Sequence, residues 1–363
     1  ADVVAVKGDV PTLGDRDWYA VQLNAGDVFG ATVQGQSWVA PEMSLLDGDG
    51  NLMIFNADHR GIAYNQGLPS ESPMPRLNAW SSTYSDSAIY CVISRPGTYY
   101  VEVAGQDDAS TGQYRMDLVV ARPGLEAEPV GAKQIVFVDF DGATVNMSKF
   151  GYPGSSGNKK LSPMRDFLPR WGLPQDEATE NAVIDAILAN MEENLSQDMR
   201  ERGLNGDFAE TGVPGQFDVE IRNSRDHADE FGTNPYVARV IIGGTEAEAD
   251  LNTFGLAEGI DPGNFKLDDD AIVLLDRRSE PAGHPQSLNS VPIHPRSSMV
   301  ELVGVGIGNL ASHELGHNFG NFHTDRWDDV LDVMDQGGPR RIIDEVGAGR
   351  DGIFGSQDDI DRA

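Results

Sequence analysis

Apolar and polar residues alternate in short runs through the first third of the chain, and longer apolar blocks with one extended helical period follow. Within residues 1–121 the runs are Trp18 to Leu23, Val28 to Val33, Met43 to Leu46, Leu52 to Phe55, Ile89 to Ile93, Tyr99 to Val103 and Tyr114 to Val119. A period of two broken by Gly, Asp and Asn predicts strands joined by tight turns. Asp47-Gly48-Asp49-Gly50-Asn51 reads as a hairpin turn between two of them. Nothing in this stretch has helical spacing, so it predicts an antiparallel β-sandwich. The Pro- and Gly-bearing segment from Arg122 to Pro129 reads as punctuation, placing a linker at 122–133.

From residue 134 the pattern changes. Gln134 to Phe140 is a continuous apolar run and predicts a strand. Between Asp176 and Arg202, Val183, Ile184, Ile187, Leu188, Met191, Leu195 and Met199 recur three or four apart, which predicts a long helix stopped at Gly203. Further strands are expected at Phe217 to Ile221, Val237 to Ile242 and Ala271 to Leu275. Residues 151–174 and 279–298, rich in Pro, Gly and Asn, read as surface loops. Leu302 to Ile307 interleaves with Gly304, Gly306 and Gly308, and Asn309 is placed to cap a helix running through Phe319. The fold class expected is therefore multidomain: a β-sandwich over 1–121 and an α/β (α+β) domain over 134–363.

Composition narrows the function. The chain has 363 residues, 39% of them hydrophobic, enough for real cores and too many for a disordered protein. Its 27 Lys and Arg stand against 58 Asp and Glu, a formal charge of −31 that repels phosphate backbones and excludes nucleic acid as an expected partner. The acids divide into 38 Asp and 20 Glu, an excess that suits turns and calcium loops, and equally the surface of a protein from a salty habitat. No apolar run reaches the roughly 20 residues that span a bilayer. Residues 1–20 lack a basic stretch followed by an apolar one, so the chain as given reads as soluble, with any export signal already missing. A single cysteine, Cys91, rules out an internal disulfide or a Cys-rich zinc ribbon. Its place in an alternating run predicts a core thiol and not a masking ligand for a metal.

The sharpest chemistry lies in His313-Glu314-Leu315-Gly316-His317-Asn318-Phe319-Gly320-Asn321-Phe322-His323. Residues four apart on a helix share a face, so His313 and His317 can hold one zinc ion between them. Glu314, rotated about 100° from His313, falls beside that ion, where it can polarise a bound water. Gly320 supplies the left-handed backbone that ends a helix and lets a third ligand, His323, swing round. Three neutral nitrogens leave a fourth coordination position for water, the arrangement of a catalytic zinc.

HELGHNFGNFH resembles the HExxHxxGxxH signature of the metzincin clan of zinc metalloendopeptidases. Within the clan it is most like the adamalysin and reprolysin group, although those relatives use disulfides and this chain cannot. The resemblance covers roughly residues 131–363 and implies a metzincin-like catalytic domain. It gives Met334, in Val333-Met334-Asp335, the place of the clan's Met-turn methionine. Thr253 to Glu258 resembles the segment that forms the clan's antiparallel edge strand, which puts Gly255, Leu256 and Ala257 along the substrate. Several metzincin families place a Tyr after the Met-turn; no Tyr follows Tyr236 here, so the oxyanion is left to zinc and backbone donors or to another side chain. In the N-terminal part, Gly14 to Asp27 and Gly97 to Gly105 resemble bacterial pre-peptidase C-terminal (PPC) domains, which implies export and substrate capture or adhesion.

Smaller signals complete the picture. Asp351, Asp358 and Asp359 lie around glycines as calcium ligands could, without EF-hand spacing, and a solvated acidic turn reads the same. His59, His227, His284 and His294 have no ligand spacing. The expectation is a secreted bacterial zinc endopeptidase acting on proteins or peptides, with Glu314 as general base and acid, zinc as cofactor and calcium as a candidate second ion. The competing reading is a zinc-stabilised binding or adhesion protein that keeps the fold without turnover.

Overall fold

The computed structural model describes residues 1–35, 40–56, 67–77, 86–106, 110–129, 132–197, 219–324, 331–335 and 341–360. The described residues divide into two compact units, one of those up to 129 together with 261–266, the other of those from 132 onward apart from 261–266.

The first unit holds eight strands: β1 (Asp2–Val10), β2 (Arg16–Leu23), β3 (Val28–Gly35), β4 (Pro41–Leu46), β5 (Leu52–Asn56), β6 (Ser87–Val92), β7 (Gly97–Gly105) and β8 (Gly112–Ala121). They form two antiparallel four-stranded sheets, ordered β1-β8-β3-β6 and β2-β7-β4-β5. Phe29, Val33, Tyr114 and Met116 from one sheet meet Met43, Leu45, Val101 and Val103 from the other in a single core, which makes the unit a β-sandwich. All seven expected runs lie on these strands except Ile93, which falls just past β6. The turn after β4 closes as expected: the Asp47 carboxylate accepts the N–H groups of Asp49 and Asn51. β1 went unsignalled because its Val3 and Val4 are exposed; pairing with β8 along its length holds it, and only Val6 and Val10 reach the core. β3 is buried on both faces because Met74 and Pro75 cover Gly30, a contact that hides its alternation. Cys91 packs at the margin of the sandwich core, and burial pushes its thiol up to about 11.

The segment after β8 differs from the expected linker. Residues 124–127 form a 3₁₀ turn with Leu125 buried, and Arg122 pairs with Asp27 and Glu126. The Gly124 N–H donates to Gly263 O, so residues 261–266 join this unit as well. Val130 and Gly131 lie outside the described residues.

In the second unit β9 (Gln134–Asp139) leads to a small antiparallel pair, β10 (Thr144–Asn146) and β11 (Asn158–Lys160). Helix α1 (Glu177–Glu192) follows, then β12 (Val219–Asn223), β13 (Val237–Ile242), the short helix α2 (Glu246–Ala249), β14 (Gly255–Ala257) and β15 (Asp270–Val273). Helix α3 (Met299–Asn318) and the short α4 (Ile342–Glu345) complete it. The main sheet runs β12-β9-β13-β15-β14, parallel except for β14. Alternate residues of β9 serve opposite faces: Val136 and Val138 meet α1 and α3, while Ile135 and Phe137 pack with Val237. Covered faces explain the apolar runs Ile135 to Val138, Val240 to Ile242 and Ala271 to Val273 within these strands.

Three expectations change. Residues 151–174 are not a surface loop, since a 3₁₀ stretch at 164–171 sends Met164, Phe167, Leu168 and Trp171 into the core. Residues 279–298 are irregular, but Leu288 and Val291 are buried in that same core. Helix α3 begins ten residues before Asn309, which lies inside it; Ser298 caps the helix and forms a capping box with Glu301. The glycines interleaved with its apolar residues permit close contact in the fold. A Cβ on Gly304 would meet Ala186 Cβ at 2.6 Å, and one on Gly308 would meet Asn190 Oδ1 at 2.4 Å, both on α1. Helix α1 itself starts where expected, with Asp176 accepting the Thr179 N–H, and runs into a π-turn at 193–197. Its expected end at Gly203, and residues 217 and 218 before β12, lie outside the described residues.

Candidate metal centre

The last two turns of α3 carry His313, Glu314 and His317, all buried. The helix then stops by chemistry legible in its sequence. Gly320 takes φ +95°, its N–H donates to His317 O, and the Asn321 N–H reaches back to Gly316 O. These two bonds make a Schellman cap, which needs a residue without a Cβ at the left-handed position. The reversal brings the exposed His323 back to the helix.

Three ring nitrogens converge there. His323 Nε2 lies 3.2 Å from both His313 Nε2 and His317 Nε2. Tetrahedral zinc bound at 2.0–2.1 Å sets its nitrogen ligands about 3.3–3.4 Å apart, so the spacing fits one ion. The tautomers agree. His313 Nδ1 donates to the Val333 carbonyl at 2.7 Å and His317 Nδ1 to the Asn321 carbonyl at 2.8 Å. With those protons on the far side, both Nε2 atoms present lone pairs to the centre. A single proton on His323 could satisfy one of them, whereas a cation satisfies all three. Burial, then the neighbouring His313 and His323, hold His317 well below the ordinary histidine pKa, which keeps it neutral and ready to coordinate. Among the described residues this is the one cluster of three His, Cys, Asp or Glu side chains placed to hold a metal.

Glu314 lies under β14. The Ala257 N–H donates to its carboxylate, and a Cβ on Gly255 would fall 2.1 Å from its Oε1. Burial pushes the carboxyl up to about 8, with the Ala257 N–H opposing the shift. A group titrating there can both take and return a proton near neutrality. β14 stands at the end of the sheet with β15 on one side only. Phe254 O and Glu258 N bond across to β15, so the backbone groups of Gly255 and Ala257 face away from it.

Met334 also falls beneath the centre. Its sulfur would sit 2.4 Å from a Cβ on Gly316, so that glycine makes room for it. The carbonyls of Val333 and Asn321, and the N–H of Ala257, are contributors that residue types alone could not have named.

The remaining candidates serve local structure. Asp358 accepts the Arg350 and Asp351 N–H groups, Asp359 those of Gly355 and Ser356, and Asp351 that of Ile353. These carboxylates shape the turn, and among the described residues they form no three-ligand group. His227, His284 and His294 each accept a nearby backbone N–H through Nδ1. His59 lies outside the described residues.

No protein-family model and no curated protein matches the chain. Among solved structures it is similar to the pre-peptidase C-terminal domain of a collagenase from Bacillus anthracis, with 14% identity over 32% of this chain and 88% of that one and a TM-score of 0.22. It is also similar to a periplasmic inhibitor of g-type lysozyme from Aeromonas hydrophila, with 12% identity over 33% and 86% and a TM-score of 0.22. A glycosylation associate protein complex from Streptococcus agalactiae gives 8% identity over 65% and 70%, with a TM-score of 0.18. Likenesses this distant carry no functional argument. No described helix is long and apolar enough to cross a membrane.

Proposed function

We propose that the chain is a zinc-dependent endopeptidase of the metzincin kind. The observation that carries this reading is the convergence of three imidazole Nε2 atoms beside a buried carboxyl at the edge of a sheet. His313, His317 and His323 would hold the metal, with Val333 and Asn321 fixing the first two rings. Bound there, zinc supplies Lewis acidity, a water whose pKa falls to about 7, and a positive charge that favours ionised Glu314. An extended peptide would add alongside β14, on the side away from β15. Glu314 takes a proton from the attacking water and returns it to the leaving amine. Met334 and Gly316 support the ligand helix from below. Export from a bacterial cell belongs to the same proposal and rests on the PPC-like residues of the N-terminal unit.

The test is Glu314→Gln, which keeps the side-chain shape and removes the base. Elemental analysis should find zinc in both proteins, while cleavage of a diverse peptide library falls about 10²- to 10⁴-fold in the variant. Wild-type turnover by a clean preparation of the variant would refute the role of Glu314. Bound zinc with no cleavage by either protein would favour a binding or adhesion protein that retains the fold.

A further inference from the structure

Of the three ligands, His323 alone lies beyond the helix, and it is exposed where the other two are buried. Something other than α3 must hold it in place. The next residue, Thr324, forms a parallel bridge with Asp335. The Thr324 N–H donates to Met334 O at 3.0 Å, and its hydroxyl donates to Asp335 Oδ1 at 3.3 Å. Asp335 is 5% exposed, and its other oxygen accepts the Asp332 N–H at 3.1 Å. The Asp332 carboxylate in turn accepts the Met334 N–H at 2.5 Å. One four-residue turn, Asp332 to Asp335, thus receives Thr324 on one side and His313 Nδ1 on the Val333 carbonyl.

We infer that Thr324 and Asp335 form a clip that positions the third ligand, so that the turn under the site sets the spacing between a helix ligand and the loop ligand. The inference rests on the metal-centre part of the function proposed above and is independent of whether peptides are cleaved. Both are positioning residues, acting on the metal through His323. The clip needs a hydroxyl at 324 and a hydrogen-bonding side chain at 335. Serine keeps the first; asparagine keeps the second, with its oxygen toward Asp332 N–H and its amide toward the Thr324 hydroxyl, which then accepts.

The test measures zinc release to a chromophoric chelator from wild type, Thr324→Val, Thr324→Ser, Asp335→Ala and Asp335→Asn, with thermal unfolding of each metal-free protein alongside. Partners that orient a ligand affect metal affinity about 10- to 100-fold. Thr324→Val and Asp335→Ala should lose zinc affinity on that scale, while Thr324→Ser and Asp335→Asn stay near wild type. Thr324 is exposed, so Thr324→Val remains informative if Asp335→Ala fails to fold. Wild-type affinity in folded Thr324→Val, or equal losses in the valine and serine variants, would overturn the clip. A wild-type protein that binds no zinc would overturn the centre and the clip together. Tight zinc without peptide cleavage would refute the peptidase reading alone and leave the clip standing.

Discussion

Glu314 illustrates how burial raises a carboxyl's pKa against the pull of a single backbone N–H. In metal-free protein its folded pKa, about 8, lies above the ordinary carboxyl value, so between those values the folded state holds a proton that the unfolded chain releases. That contribution to stability is complete below the unfolded pKa and is lost as pH rises towards 8. His317 acts in the opposite sense: its depressed pKa costs stability as pH falls below the ordinary histidine value. Comparison with Glu314→Gln isolates the first effect. With chelator present, the melting temperature of wild type relative to the variant should fall as pH rises from 5 to 8; a constant difference would contradict the burial of Glu314. Residue types pointed to the three converging histidines and the carboxyl beside them because HExxHxxGxxH is a statement about side chains. The carbonyls that set the tautomers and the clip at Thr324 and Asp335 depend on where the backbone returns, which no local pattern records.

Element by element, strands were legible where one face or both are buried, as in β4 with its alternation or β13 with its apolar run broken only by Arg239. β1 was invisible because its first residues are exposed and pairing with β8 does most to recruit it, with Val6 and Val10 alone reaching the core. The start of helix α3 was expected too late, with Asn309 as cap after the glycine-interleaved run, although Ser298-Met-Val-Glu301 ahead of an apolar run is a capping-box signal. The glycines set the distance between α1 and α3. For Gly304→Ala, helix propensity gains about 1 kcal/mol, while overpacking against Ala186 costs roughly 1–3 kcal/mol. The contact includes the Ala186 backbone carbonyl carbon at 3.0 Å, so the cost should win. Thermal unfolding should shift down by roughly 2–4 °C per kcal/mol lost, and an unchanged or raised transition would show that the helices can part without penalty. The 151–174 segment was misread for a related reason: Pro and Gly mark the ends of its turns, while four large apolar residues between them fill the core.

Taken as a whole, the molecule joins a β-sandwich and an α/β unit, each with its own apolar core, under a formal charge of −31. Such a charge repels itself, and salt screens that repulsion over about 10 Å at 0.1 M. Melting temperature should therefore rise with sodium chloride from 0.01 M to 1 M; a flat response would indicate that the acidic groups are already neutralised locally. The two cores are the physical basis of the change in sequence pattern after residue 121, while the excursion at 261–266 joins the first unit through a contact far away in sequence. The proposed function rests on the second unit. The most direct measurement is to strip the protein of metal and add zinc back stepwise while following peptide cleavage, in wild type and Glu314→Gln. Activity that rises to a plateau at one zinc per chain, and stays near zero in the variant despite equal zinc uptake, is the predicted result. Saturating zinc with no cleavage in wild type, or cleavage that ignores Glu314, would contradict it.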